Sequence, residues 1–153
     1  MKLRNLIIPA IIVAAVGYMS LTRHTYNIDK ATEYLTTHKE SKSVGACARH
    51  VRLAIEAGGC PTYFYPHNAN GYFKFLPALG FTEIDKQNYT PRKGDVIVIE
   101  SEKHGHIAMY NGKVWISDFQ QCDRWGGKKY RKPGVRYALF RKANGKGKRQ
   151  LIP

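Results

Sequence analysis

Residues 43–55, Ser-Val-Gly-Ala-Cys-Ala-Arg-His-Val-Arg-Leu-Ala-Ile, constrain this chain more than any other stretch. Val51, Ala54 and Ile55 recur at i, i+3 and i+4, the spacing of one helical face, with Arg49 and Arg52 on another. Gly45 suits a tight entry and Gly58-Gly59 a stop. A helix bounded in this way carries Cys47 in its first turn. There the free N–H groups and the positive end of the macrodipole favour a thiolate over a thiol. A cysteine so placed is a candidate nucleophile in need of a base. About sixty residues on, Lys103-His104-Gly105-His106-Ile107-Ala108-Met109-Tyr110 supplies one. His106 opens a strand-like run, so a rigid element aims its ring.

The remaining pattern surrounds that pair. Asp29 suits the cap of a helix over residues 30–37, with Ala31, Tyr34 and Leu35 on one face. Residues 61–70 are aromatic and turn-rich, with Tyr63, Phe64 and Tyr65 fit either to wall a groove or simply to pack. A short helix is expected over residues 71–79, bent at Pro77 and closed by Gly80. The period then changes to that of strands. β-Branched runs at residues 96–100, 106–110 and 114–119 follow the Gly94-Asp95 turn, and Val135 opens a last strand to residue 140. Helices first and strands later predict an α+β fold, with N-terminal helices packed on an antiparallel sheet.

A nucleophile and base also need a third polar group to orient the imidazole. Asn111-Gly112 predicts a hairpin, across which Asp118 lies twelve residues after His106. A two-residue turn pairs His106 with Ser117 and points Asp118 to the other face, whereas a three-residue loop through Lys113 pairs His106 with Asp118. Both registers stay open.

The length of 153 residues suits one domain with a real core. A formal net charge of +14 points to anionic partners: nucleic acid, membrane surfaces or the acidic bacterial wall. Lys2 and Arg4 precede an apolar run over residues 6–21, the pattern of an export signal or an N-terminal anchor. The expected organisation is a signal or anchor at 1–21, a folded domain at 22–140 and a basic, mobile tail at 141–153. Three cysteines in an exported chain is an odd count; a Cys60–Cys122 bridge leaves Cys47 free, and three reduced thiols is the alternative. His50, three residues after Cys47, either faces the same groove or is solvated. His104 and His106 share a strand face, but no third metal ligand accompanies them.

Cys47 at a helix start, Gly94-Asp95 before a strand and Gly105-His106-Ile107-Ala108 opening a hairpin resemble the CHAP and NlpC/P60 families. These are papain-like cysteine amidases and peptidases that cut the peptide part of peptidoglycan. The resemblance spans residues 43–119. It implies a papain-like fold and acyl transfer, with Cys47 as nucleophile, His106 as base and Asp118 as the group orienting His106. In these families that group follows the histidine by about a dozen residues, which favours Asp118 over Ser117. The Cys47 N–H would help hold the oxyanion, and no metal or other cofactor is called for. The implied partners are peptidoglycan and, through residues 1–21, the membrane, with no specific nucleic acid. Small size, basic charge and the apolar N-terminus also resemble phage endolysins with a signal-anchor segment, held at the inner membrane until released to the periplasm. A secreted antibacterial amidase delivered against rivals fits a self-encoded export signal less well. Two other classes compete: a basic wall-binding module without chemistry, and a cysteine protease or transglutaminase-like enzyme acting on protein.

Overall fold

The computed structural model describes residues 25–146. The expected signal or anchor at 1–21 and the end of the basic tail lie outside the described residues. Among the described residues, no helix is long and apolar enough to cross a membrane.

Helix α1 (Ile28–Thr37) starts ahead of the expected position because Asn27, not Asp29, caps it: the Asn27 Oδ1 accepts the Lys30 N–H at 2.9 Å. Asp29 lies inside the first turn and pairs with Lys93 Nζ at 2.5 Å. Helix α2 (Cys47–Ala57) buries Ala48, Val51, Ala54 and Ile55, the face that the spacing predicts. Burying a Val or Ile side chain is worth about 1.5–3 kcal/mol. Helix propensities among ordinary residues differ by at most about 0.7 kcal/mol, so packing rather than propensity holds α2. A 3₁₀ turn (Ala69–Gly71) leads into α3 (Tyr72–Ala78), whose last turn contains Pro77.

The sheet is antiparallel throughout. It comprises β2 (Thr82–Ile84), β3 (Val96–Ile99), β4 (His106–Tyr110), β5 (Trp115–Ile116) and β6 (Tyr137–Arg141), in the order β2-β6-β3-β4-β5. A separate two-stranded ribbon joins β1 (Thr25–Tyr26) to β7 (Gly145–Lys146). The central strand β3 is buried along its whole length. Val96 and Val98 face the helices, while Ile97 and Ile99 face a second cluster with Ala108, Trp115, Tyr130 and Leu139. This is the expected α+β architecture, and it is papain-like. Strand β2, unforeseen, is a short edge element with only β6 beside it.

Two expectations change. The sheet continues into the basic stretch assigned to the tail: Arg141 ends β6 and grips the buried Asp95 carboxylate through Nε and Nη2, each at 2.7 Å. Next to it Lys142 is buried, its Nζ donating to the Leu79 carbonyl at 2.6 Å. The Cys60–Cys122 bridge is not formed. Cys60 belongs to the helical core, with Sγ 3.9 Å from the Leu79 carbonyl, whereas Cys122 stands exposed in the loop after β5; all three cysteines are free thiols.

Candidate active site

Cys47 is the first residue of α2 and is half-buried. The Ile107 N–H, on the second residue of β4, acts on the Cys47 thiol in favour of the thiolate. His106, the first residue of that strand, sits opposite Ile99 on β3 and is 6% exposed. The Asp118 carboxylate, two residues beyond β5, acts electrostatically on both Cys47 and His106.

Neither foreseen hairpin register occurs. The β4–β5 ladder pairs Met109 with Ile116 and Tyr110 with Trp115. The intervening loop is fastened by the Asn111 side chain, whose Oδ1 accepts the N–H groups of Lys113 and Val114 at 2.9 Å each. Strand β5 then stops, and the chain doubles back over residues 117–119: Ile116 bridges to Gln120, and the Gln121 N–H reaches the Trp115 carbonyl at 2.9 Å. Asp118 at this reversal faces the loop before α2. Its Oδ2 accepts the N–H groups of Val44 at 2.7 Å and Ala46 at 3.1 Å, and its Oδ1 accepts the Ser117 hydroxyl at 3.0 Å. Ala46 has no side chain able to cap the helix, and a carboxylate from the sheet ties down the approach instead.

The hydrogen-bonding place beside His106 that was expected for Asp118 is taken by Gln121. The Gln121 amide nitrogen lies 2.6 Å from His106 Nε2. The imidazole stacks on Tyr130 with centroids 5.0 Å apart, and the Tyr130 hydroxyl donates to the Gly105 carbonyl at 3.2 Å. Gly126, at φ +72°, closes over the ring edge, where a Cβ would collide with Nε2. Sequence reasoning missed Gln121 because it belongs to no periodic run; only the chain reversal brings it to the ring.

The electrostatics also depart from expectation. Burial first, and the Asp118 charge second, push the Cys47 thiol up, outweighing the N–H groups of Ile107, Ala48 and Cys47 that favour the thiolate. The helix start alone does not ionise it. Burial lowers His106 to about 4 against the opposing influence of Gln121 and Asp118, with the Lys129 charge assisting. The resting pair is therefore a thiol and a neutral imidazole. Burial works against the Asp118 carboxylate, but the N–H groups of Ala46 and Val44 and the Ser117 hydroxyl prevail and hold its carboxyl below the ordinary value.

The other histidines take different positions. His50 Nδ1 lies 3.1 Å from the Ala46 carbonyl and Nε2 is 4.0 Å from Glu40, so it folds back along its own helix. His104 is exposed in the loop before β4. Among the described residues no three His, Cys, Asp or Glu side chains gather as metal ligands. The aromatic loop leaves Tyr63, Phe64 and Tyr65 exposed, with the Arg52 guanidinium 3.9 Å over the Tyr65 ring. Further along, Asn70 braces the approach to His106, donating through Nδ2 to the Ser101 carbonyl at 2.8 Å and through its backbone to the His104 carbonyl at 3.1 Å.

Fold and site together define a papain-like α+β protein in which a helix-start cysteine abuts a histidine-bearing strand. No protein-family model matches the chain, and no curated protein matches it. Two solved structures are similar. One is the native type VI effector–immunity complex Tae3–Tai3 from Ralstonia pickettii, 39% identical with a TM-score of 0.70, covering 77% of this chain and 100% of that one. The other is the selenomethionine form of that complex, 40% identical with a TM-score of 0.66, covering 72% of this chain and 98% of that one. The chain belongs to the Tae3 family of type VI effectors.

Proposed function

We propose that this protein hydrolyses an amide bond in the peptide part of peptidoglycan by acyl transfer through Cys47, and that it is a type VI effector countered by a dedicated immunity protein. The observation that carries the chemistry is Cys47 at the first position of α2, a helix packed on β4, the strand that His106 opens. Kinship with a protein that is itself an effector bound to its immunity partner supports the biological role. It favours delivery against neighbouring bacteria over a phage lysis enzyme or a membrane-anchored one. The net charge of +14 suits an anionic wall as substrate.

In this reading Cys47 Sγ attacks the amide carbonyl carbon as its proton passes to His106. The Cys47 N–H, which has no intrahelical acceptor at the first helical position, receives the oxyanion. His106 then gives the proton to the departing amine, leaving a thioester on Cys47. Water loses a proton to His106 and attacks that thioester, releasing the carboxylic acid and restoring the thiol. Asp118 acts by fixing the loop that delivers Cys47.

The test is turbidity loss of purified Gram-negative sacculi with the full chain and with Cys47→Ala, followed by mass spectrometry of the soluble fragments. The reading expects clearing by the wild type alone, and the fragment masses then name the bond. Equal clearing by both proteins removes Cys47 as nucleophile. No clearing by either overturns the cell-wall reading and brings protein substrates forward.

A further inference from the structure

The chain between β5 and β6 holds a cation one aromatic ring away from His106. A 3₁₀ turn (Lys128–Tyr130) is closed there by the Tyr130 N–H on the Gly127 carbonyl at 3.2 Å. Tyr130 is buried and fixed twice. Its ring stacks on the His106 imidazole with centroids 5.0 Å apart, and its hydroxyl donates to the Gly105 carbonyl at 3.2 Å. The residue before it is therefore placed by the active site itself. Lys129 is exposed, with Nζ 4.7 Å from the centre of the Tyr130 ring.

The neighbouring charges are occupied elsewhere. Arg131 pairs with Asp123, Arg136 pairs with Glu100, and the Arg124 guanidinium lies 5.0 Å over the Trp125 ring. Among the described residues no carboxylate stands within ion-pair distance of Lys129. Burial already resists the positive charge that His106 acquires on taking the Cys47 proton, and the bare Lys129 ammonium adds to that resistance. A carboxylate seated on Lys129 removes the second obstacle, and does so only while the ligand is bound. The stem peptides of peptidoglycan carry free carboxylates beside their backbone amides. His106 protonates the leaving amine, so the half of the substrate that passes over Tyr130 toward Lys129 is the half that departs.

We propose that Lys129 is a specificity-determining residue that binds a free carboxylate on the amine-side half of the substrate peptide. This rests on the acyl-transfer reading of Cys47 and His106 and deepens it by naming the charge the substrate must carry. A compact ammonium on a flexible stem suits the task, because it follows a carboxylate without demanding one fixed geometry.

The experiment uses muropeptides released from Gram-negative sacculi by a muramidase. Carbodiimide and ammonia convert part of their carboxylates to neutral amides of nearly the same size. After digestion by the full chain, mass spectrometry reports how fast each species is cut and which product carries the amide. Amidation on the amine-side product is expected to lower kcat/KM about fivefold, the measure of an ion pair that keeps contact with water. Amidation on the acyl side is expected to change it little. Lys129→Gln is expected to erase the difference, whereas Lys132→Gln, which removes an exposed charge from the same loop, is expected to retain it. Equal cutting of all species by the wild type overturns the proposal. So does a Lys129→Gln variant that still discriminates, or a Lys132→Gln variant that loses discrimination as fully. Calorimetry of the same muropeptides with Cys47→Ala, alone and combined with Lys129→Gln, separates this site from the chemistry. Binding that prefers the free carboxylate and needs Lys129, in a protein that cuts nothing, rejects the acyl-transfer reading and keeps the carboxylate site. Muropeptides that are neither bound nor cut overturn both.

Discussion

Asp118 Oδ2 accepts the Ala46 N–H at 3.1 Å, one residue ahead of Cys47. That bond ties the end of the β4–β5 hairpin to the start of α2. It has two consequences of opposite sign for the cysteine. The carboxylate complements the helix dipole and holds the loop in place, yet its charge makes a second charge at the neighbouring sulfur harder to form. Position is secured at the expense of a ready thiolate.

Asp118→Ala should therefore act first on stability. It leaves the Val44 and Ala46 N–H groups without their acceptor, a loss of about 1–3 kcal/mol in urea unfolding at neutral pH. Asp118→Asn, which keeps an acceptor oxygen, should lose less. The depressed carboxyl gives the pH sign: its contribution is full at neutral pH and fades as the pH falls through the folded-state value. An Ala variant as stable as the wild type at neutral pH would count against this role.

His106 predicts a second acid sensitivity. Between about 4 and 6.5 the unfolded chain binds a proton that the folded protein refuses, so stability should rise with pH across that window. His106→Gln should flatten the rise, and an unchanged slope in that variant would refute the assignment.

The thiols should separate by reactivity. With its pKa pushed up, Cys47 should alkylate with iodoacetamide more slowly at pH 7 than free glutathione does, and faster as the pH rises. Exposed Cys122 should be labelled ahead of Cys47, and buried Cys60 only on unfolding. Peptide mass spectrometry reads all three; a flat, fast Cys47 rate from pH 5 to 8 would instead indicate a preformed ion pair.

Asp95→Ala should destabilise by about 3 kcal/mol, the lower end for a broken buried pair because Arg141 keeps some contact with water. Tyr89 and the Arg92 N–H lose the same carboxylate, at 2.9 and 2.8 Å. Asp95 precedes β3 at the end remote from Ile99, the residue that pairs with His106, so the folded fraction should keep its activity. Denaturant titration with activity measured below the transition separates the two effects.

The sequence by itself determined the parts whose signals are local. Val51, Ala54 and Ile55 mark the buried face of α2 because helical periodicity and burial coincide within two turns. Val96 to Ile99 and His106 to Tyr110 declare strands by β-branched and apolar composition, and with them the placement of Cys47 and His106 at element starts. Tertiary structure alone decided what surrounds those two residues. Val114 to Phe119 reads as one strand, but pairing ends at Ile116, because the Asn111 side chain sets a longer loop and the chain then folds back. That reversal carries Asp118 to Val44 and Ala46 and gives the His106 contact to Gln121. Arg141 and Lys142 look like a solvated basic tail until a buried Asp95 and the Leu79 carbonyl claim them. Even the charge state of Cys47 was settled this way: a helix start favours the thiolate from within the segment, but desolvation depends on everything packed around it, and here desolvation is the larger effect.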